Sequence, residues 1–193
     1  RLGQVERMLG KTAAAAEAYQ NAMAIFQRYP EDSDAQLGVA NTHNLMGLVR
    51  ADENQHAQAE QSYRSAIAQL QPVVEANPDQ FDFSQKLGDV LHHLGAIQRH
   101  AGELDNAATS LRGAIAQYDR LRNRSASQNE YVIALAKSRL VLGRILLEQG
   151  DYADALKQFD SALNDGEAIL NKTVNVEPAE GDPAETAVLP QPE

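Results

Sequence analysis

Apolar residues recur three and four positions apart along most of this chain, in runs of about twenty residues that stop at glycine, proline or clustered polar residues. That spacing predicts helices throughout. The first begins at or before Leu2, and the second spans Thr12 to Tyr29, stopping before Pro30. Ser33 and Gln36 form an S-x-x-Q capping box that opens a third helix reaching Asp52. A fourth runs from Gln55 towards Glu75, with Pro72 expected to kink or end it near Leu70. Asn77-Pro78-Asp79 reads as a turn, followed by helices over 82–100 and 104–123. After a polar loop, Ser127 and Glu130 make a second capping box for a helix to Gln149, and a last helix covers 151–170.

The helices repeat in pairs. Segments starting at Leu2, Met46, Leu94 and Leu142 align without gaps, with a glycine second in each: Gly3, Gly47, Gly95 and Gly143. Seven residues on stand Gly10, Asn54, Gly102 and Gly150, which suit a left-handed residue closing a helix. Ala15, Ala59, Ala107 and Ala155 form a further column, and Ala22, Ala66, Ala114 and Ala162 another, seven later on one helix face. Between them Tyr19, Tyr63, Leu111 and Phe159 supply one large side chain per unit. The first glycine lies inside a helix, where it costs about 1 kcal/mol against alanine. Its fourfold presence implies a neighbouring helix too close for a Cβ. Each unit therefore reads as helix, tight turn, helix.

In these residues the chain resembles the tetratricopeptide repeat family, most clearly at Leu94-Gly95 with Ala107-x3-Leu111 and at Leu142-Gly143 with Ala155-x3-Phe159. Pro72 meets the family's proline position loosely; His43, Leu91 and Arg139 stand where Trp is usual, and Arg50, Gln98 and Leu146 where Tyr is. The 44- to 48-residue spacing of the glycines exceeds the family's period of about 34 and resembles a long-helix variant found in large bacterial signalling proteins, some with protein kinase domains. The resemblance implies an all-α, right-handed superhelical solenoid of antiparallel helix pairs over residues 1–171, its first unit truncated. It also implies a non-catalytic protein- or peptide-binding scaffold. The alternatives are a regulatory or sensor domain of a larger signalling enzyme, such as a bacterial Ser/Thr kinase, and a self-association module.

Composition removes other chemistries. With 43% hydrophobic but only 5% aromatic residues and no Trp, the core is built from small and aliphatic side chains. A net charge of −10 repels phosphate, which argues against nucleic-acid and anionic-membrane partners. The absence of cysteine removes thiolate metal sites and cysteine nucleophiles. Gly10-Lys11-Thr12 resembles the end of a phosphate loop, but Val5 occupies the position of its first glycine. His93 and His100 share a helix face about 10 Å apart, too far for one metal ion. Ser84, Ser110 and Ser138 lie on helices, without the strand–turn–helix elbow of a nucleophile. No enzyme, cofactor or metal site is expected. The chain opens at Arg1 without Met or a signal-like stretch, so it reads as an excised or processed piece, and a cytoplasmic location is expected.

In the family resembled, the first helix of each pair lines a concave groove. The matching columns hold Asn41, Asp89 and Lys137; Asn44, His92 and Leu140; Gln4, Leu48, Ala96 and Arg144; and Arg7, Ala51, Arg99 and Leu147. The groove set is Asn41, Asn44, Leu48, His92, Arg99, Lys137, Leu140, Arg144 and Leu147, a wall suited to a peptide with carboxylates and apolar side chains. Asn44 and Lys137 alone do not make the family's carboxylate clamp. Residues 172–193 hold four prolines and one lysine against five carboxylates, and read as an extended or disordered acidic tail. Uncapped repeat ends should expose Val5 and Leu9 at one end and Leu163, Ile169 and Leu170 at the other, to be covered by that tail or by another chain.

Overall fold

The computed structural model describes residues 1–77, 79–124 and 129–174. Pro78, Ser127 and residues 175–193 of the acidic tail lie outside them, while 172–174, expected to open that tail, continue the last helix. Eight helices follow one another: α1 (Leu2–Met8), α2 (Thr12–Phe26), α3 (Ser33–Asp52), α4 (His56–Ala76), α5 (Phe81–His100), α6 (Leu104–Arg124), α7 (Asn129–Gln149) and α8 (Tyr152–Val174). Each packs on its neighbour in sequence, and α5 also touches α3 and α7. The odd-numbered helices thus form one layer with contacts along it. The even-numbered ones form a second layer without comparable packing between its members, so the stack curves towards the odd-numbered side. This is an all-α helical repeat solenoid.

All four corners within a pair share one construction. Gly10, Asn54, Gly102 and Gly150 have φ of 73°, 59°, 79° and 82°, the left-handed region. At each, the amide of that residue bonds the carbonyl three back and the next amide bonds the carbonyl five back, as in Asp151 N to Leu146 O at 2.8 Å. This is the Schellman closure, which satisfies orphan carbonyls while reversing the chain. Gly10-Lys11-Thr12 is the first of these corners.

The first glycine column and the large-side-chain column turn out to be partners. A Cβ on Gly3 would fall 2.5 Å from the Tyr19 ring, on Gly47 2.4 Å from Tyr63, on Gly95 2.7 Å from Leu111 Cγ and on Gly143 2.5 Å from Phe159. The close approach expected of a neighbouring helix is made chiefly by one large side chain of the paired helix, joined at Gly95 by the Ala107 carbonyl oxygen at 3.1 Å. The flanking Ala15, Ala59, Ala107 and Ala155 are fully buried, which lets the helices cross closely enough for that insertion.

Three local expectations are corrected. Asp32, not Ser33, caps α3: its carboxylate accepts from Ala35 N at 2.8 Å, while Gln36 Nε2 donates to Pro30 O. Asp32 sits in extended backbone with its oxygen aimed at the free amides, the geometry a cap requires. Helix α4 runs through Pro72 to Ala76, because Pro72 lies on the exposed side while Leu70 and Val74, at 0% and 4% exposure, anchor both flanks in the core. Helix α2 ends at Phe26, whose ring fills a second socket on Gly38.

Candidate functional site: the face of α3, α5 and α7

The odd-numbered helices present one shared face, and two kinds of side chain occupy it. The first kind ties the helices together. His93 on α5 donates from Nδ1 to Asn44 Oδ1 on α3 at 2.8 Å, and His92 meets Ser138 Oγ on α7 at 2.9 Å. The Ser138 hydroxyl hydrogen goes to Ala134 O, so His92 Nδ1 is the donor to Ser138. Burial pushes the pKa of both imidazoles down, that of His93 to about 4, which favours their neutral forms. The His93 ring lies 5.7 Å from that of Tyr63, directly behind the Gly47 socket.

Further ties follow the same one-unit step. Arg99 Nε donates to Glu148 Oε1 at 2.9 Å, linking α5 to α7, and Arg7 pairs with Asp52 at 2.8 Å, linking α1 to α3. Below His92, Asp89 accepts from the Tyr118 hydroxyl at 2.8 Å and pairs with Lys86 at 3.2 Å. Burial and the Asp89 charge push the Tyr118 hydroxyl pKa up, so it stays a donor. These groups border a cavity of about 420 Å³ between α5 and α7, also lined by Gln85, Ile133 and Lys137.

Of the residues chosen from sequence, Asn44, His92 and Arg99 thus already have protein partners, and Asn44 is buried at 4% exposure. Asn41 and Leu48 are half-buried on α3. Lys137, Leu140, Arg144 and Leu147 are brought together as one exposed stripe of α7. Ile133 extends that stripe, and Ile133, Leu140 and Leu147 are each 43% exposed with the two cations between them. Sequence reasoning missed His93, Ser138, Glu148 and Ile133. The available signal was the repeat step itself, because His93 with Asn44 and Arg99 with Glu148 are both separated by 49 positions.

The α6–α7–α8 junction is held by charge as well. Asp165, 5% exposed, accepts from Arg139 at 2.5 Å and from Arg122 at 3.1 Å, and both arginines also reach Asp119. Among the described residues no group of three or more His, Asp or Glu is placed to hold a metal ion, and no helix is long and apolar enough to cross a membrane.

The sequence profile of the tetratricopeptide repeat family matches residues 44–120 and 100–169. Among solved structures, the chain is similar to BtubC (BKLC) from P. vanneervenii, with a TM-score of 0.66 at 20% identity, covering 100% of this chain and 68% of that one. It also matches MamA, with a TM-score of 0.42 at 16% identity over 89% of this chain and 98% of that one. The likeness to BtubC carries the fold alone. No curated protein matches the sequence.

Proposed function

The chain belongs to the tetratricopeptide repeat family, and on that premise we propose that it is a non-catalytic module that holds a protein segment on the face of α3, α5 and α7. The observation that carries this reading is the α7 stripe. Ile133, Lys137, Leu140, Arg144 and Leu147 alternate apolar and cationic groups along one helix face, all of them exposed. A chain of net charge −10 gains nothing in solubility from three exposed aliphatic side chains in a row, so a partner that covers them is the simplest reason for the pattern.

The stripe selects a segment with apolar side chains at every second helical turn and carboxylates between them. Lys137 and Arg144 can meet those carboxylates with charge-assisted hydrogen bonds. The His93–Asn44 and His92–Ser138 ties fix α3, α5 and α7 relative to one another before binding, so little ordering free energy is lost when the partner arrives. Arg99, engaged by Glu148, acts as a strut of the groove in this reading, not as a clamp.

Fluorescence anisotropy with labelled peptides of acidic–apolar, basic–apolar and acidic–polar composition tests it. The acidic–apolar class should bind, with affinity falling as salt rises. Lys137→Glu combined with Arg144→Glu should weaken binding at least tenfold, while Arg112→Glu on α6 leaves it unchanged. Equal binding of basic and acidic peptides, or equal loss with Arg112→Glu, would refute the assignment.

A further inference from the structure

Between α2 and α4, against α3, lies a cavity of about 310 Å³, near the lower end of the range for small-molecule sites. Its lining comes from those three consecutive helices, and none of it from the α7 stripe. Arg50 is the only charged side chain among the described residues that line it. In a chain with 27 Asp and Glu against 17 Lys and Arg, a cleft with a cation and no carboxylate runs against the composition.

Arg50 stands in the last turn of α3, where a cation suits the helix dipole, but its side chain crosses to α4. Nη1 donates to the Ser62 hydroxyl oxygen and to Gln58 O at 3.2 Å. Both acceptors are neutral, and the Ser62 hydrogen itself goes to Gln58 O at 2.9 Å. Nε and Nη2 have no acceptor among the described residues, and no carboxylate there pairs with the guanidinium.

The next unit shows the same place when it is satisfied. Counting from the glycine of each unit, Gln98 takes the place of Arg50 and Ser110 that of Ser62. Ser110 donates to Gln98 Oε1 at 2.7 Å, and Gln98 Nε2 reaches back to Glu60 Oε1 on α4 at 3.1 Å. The residue that Arg50 would find by the same step is Ala16 on α2. An arginine thus stands where an amide would complete the bridge, and its remaining donors meet no protein acceptor. Around it lie the side-chain amides of Gln20 and Gln61 and the thioethers of Met23 and Met46. His43 also borders the cavity, and burial, then the Arg50 charge, push its pKa down and favour the neutral ring.

We propose that this cavity binds a small organic carboxylate with a short aliphatic body, its two oxygens on the Nε and Nη2 edge of Arg50 and its hydrocarbon against Met23 and Met46. The planar guanidinium matches the two oxygens of a carboxylate. The thioethers adapt to an aliphatic chain and offer nothing to an inorganic anion, which selects an organic acid over phosphate.

Isothermal titration calorimetry of the 193-residue chain with hexanoate, hexanol and inorganic phosphate tests this. Hexanoate should bind at one site with a Kd of about 1 mM or tighter, and hexanol and phosphate at least tenfold more weakly. Arg50→Gln installs the residue that the next unit pairs with the equivalent serine, so circular dichroism should show unchanged helix content while hexanoate affinity falls at least tenfold. In nuclear magnetic resonance spectra, hexanoate should move the ring signals of His43 and leave those of His100. Arg144→Gln, on the α7 stripe, should leave hexanoate binding unchanged, so this result stands apart from the peptide assay. No binding of hexanoate, affinity that survives Arg50→Gln, hexanol or phosphate binding as tightly as hexanoate, unmoved His43 signals, or loss with Arg144→Gln would overturn the proposal.

Discussion

Replacing Gly47 by alanine adds one methyl group in a helix, where alanine is otherwise favoured by about 1 kcal/mol. At this site the sign should reverse. The new Cβ would lie 2.4 Å from Tyr63 Cε1, 2.7 Å from Cδ1 and 2.8 Å from Cζ, so the ring must withdraw by about 1 Å to reach ordinary contact. It has nowhere to go: Tyr63 is 1% exposed, Ala59 and Ala66 of its own helix are fully buried, and the His93 ring lies 5.7 Å away. Overpacking of this kind costs about 1–3 kcal/mol and more where the clash is close, so a net loss of about 1–2 kcal/mol is expected. For a chain of this length that lowers Tm by roughly 3–6 °C. Gly166 in α8 is the control. Nothing lies within 4 Å of a Cβ there, so Gly166→Ala should raise Tm by a few degrees. Thermal unfolding followed by circular dichroism reads both. In a Tyr63→Ala background the socket is empty and Gly47→Ala should become stabilising. A Tm for Gly47→Ala at or above that of the wild type, or a loss that persists in the Tyr63→Ala background, would refute the socket argument.

The remaining predictions concern proline, charge and pH. Pro72→Ala restores an amide donor on the exposed side of α4 and should stabilise the chain by about 1–3 kcal/mol, read as a shift of the urea midpoint. Asp165→Ala removes the buried carboxylate that Arg139 and Arg122 share and leaves them only the more exposed Asp119, and should cost about 3 kcal/mol in the same assay. His93 has its pKa lowered from 6.5 to about 4, first by burial and then by His92, so the unfolded chain binds the proton that the folded chain refuses. Its contribution is complete above pH 6.5 and is lost as pH falls towards 4, by up to about 3 kcal/mol. His93→Gln keeps a donor for Asn44 and should flatten that part of the stability–pH curve.

The helix pairs were legible because their packing is written in residues with few alternatives. A left-handed turn asks for Gly or Asn, and an inserted ring asks for Gly beneath it and Ala beside it, so these columns recur. What glycine faced was not legible, since spacing places residues on a helix without saying which neighbour reaches them. Pro72 misled for a related reason: local chemistry favoured a break, and the burial of Leu70 and Val74 on either side outweighed it. In the groove, Asn44, His92 and Arg99 were placed by the family's groove columns, yet each is joined to a residue one unit away. Those partners do not form a column, because Asn44 meets His93 while Ser138 meets His92. The His92–Ser138 tie therefore departs from the 49-position step that His93 with Asn44 and Arg99 with Glu148 share. The α7 stripe was readable because its alternation of aliphatic and cationic residues lies within one helix.

The most direct test of the peptide-holding role is to locate a bound segment. An acidic–apolar peptide carrying a photoreactive leucine, crosslinked and mapped by mass spectrometry, should label Lys137, Leu140, Arg144 and Leu147 of α7 and their neighbours on α5. Crosslinks concentrated on the outer surfaces of α4, α6 or α8 would contradict the account.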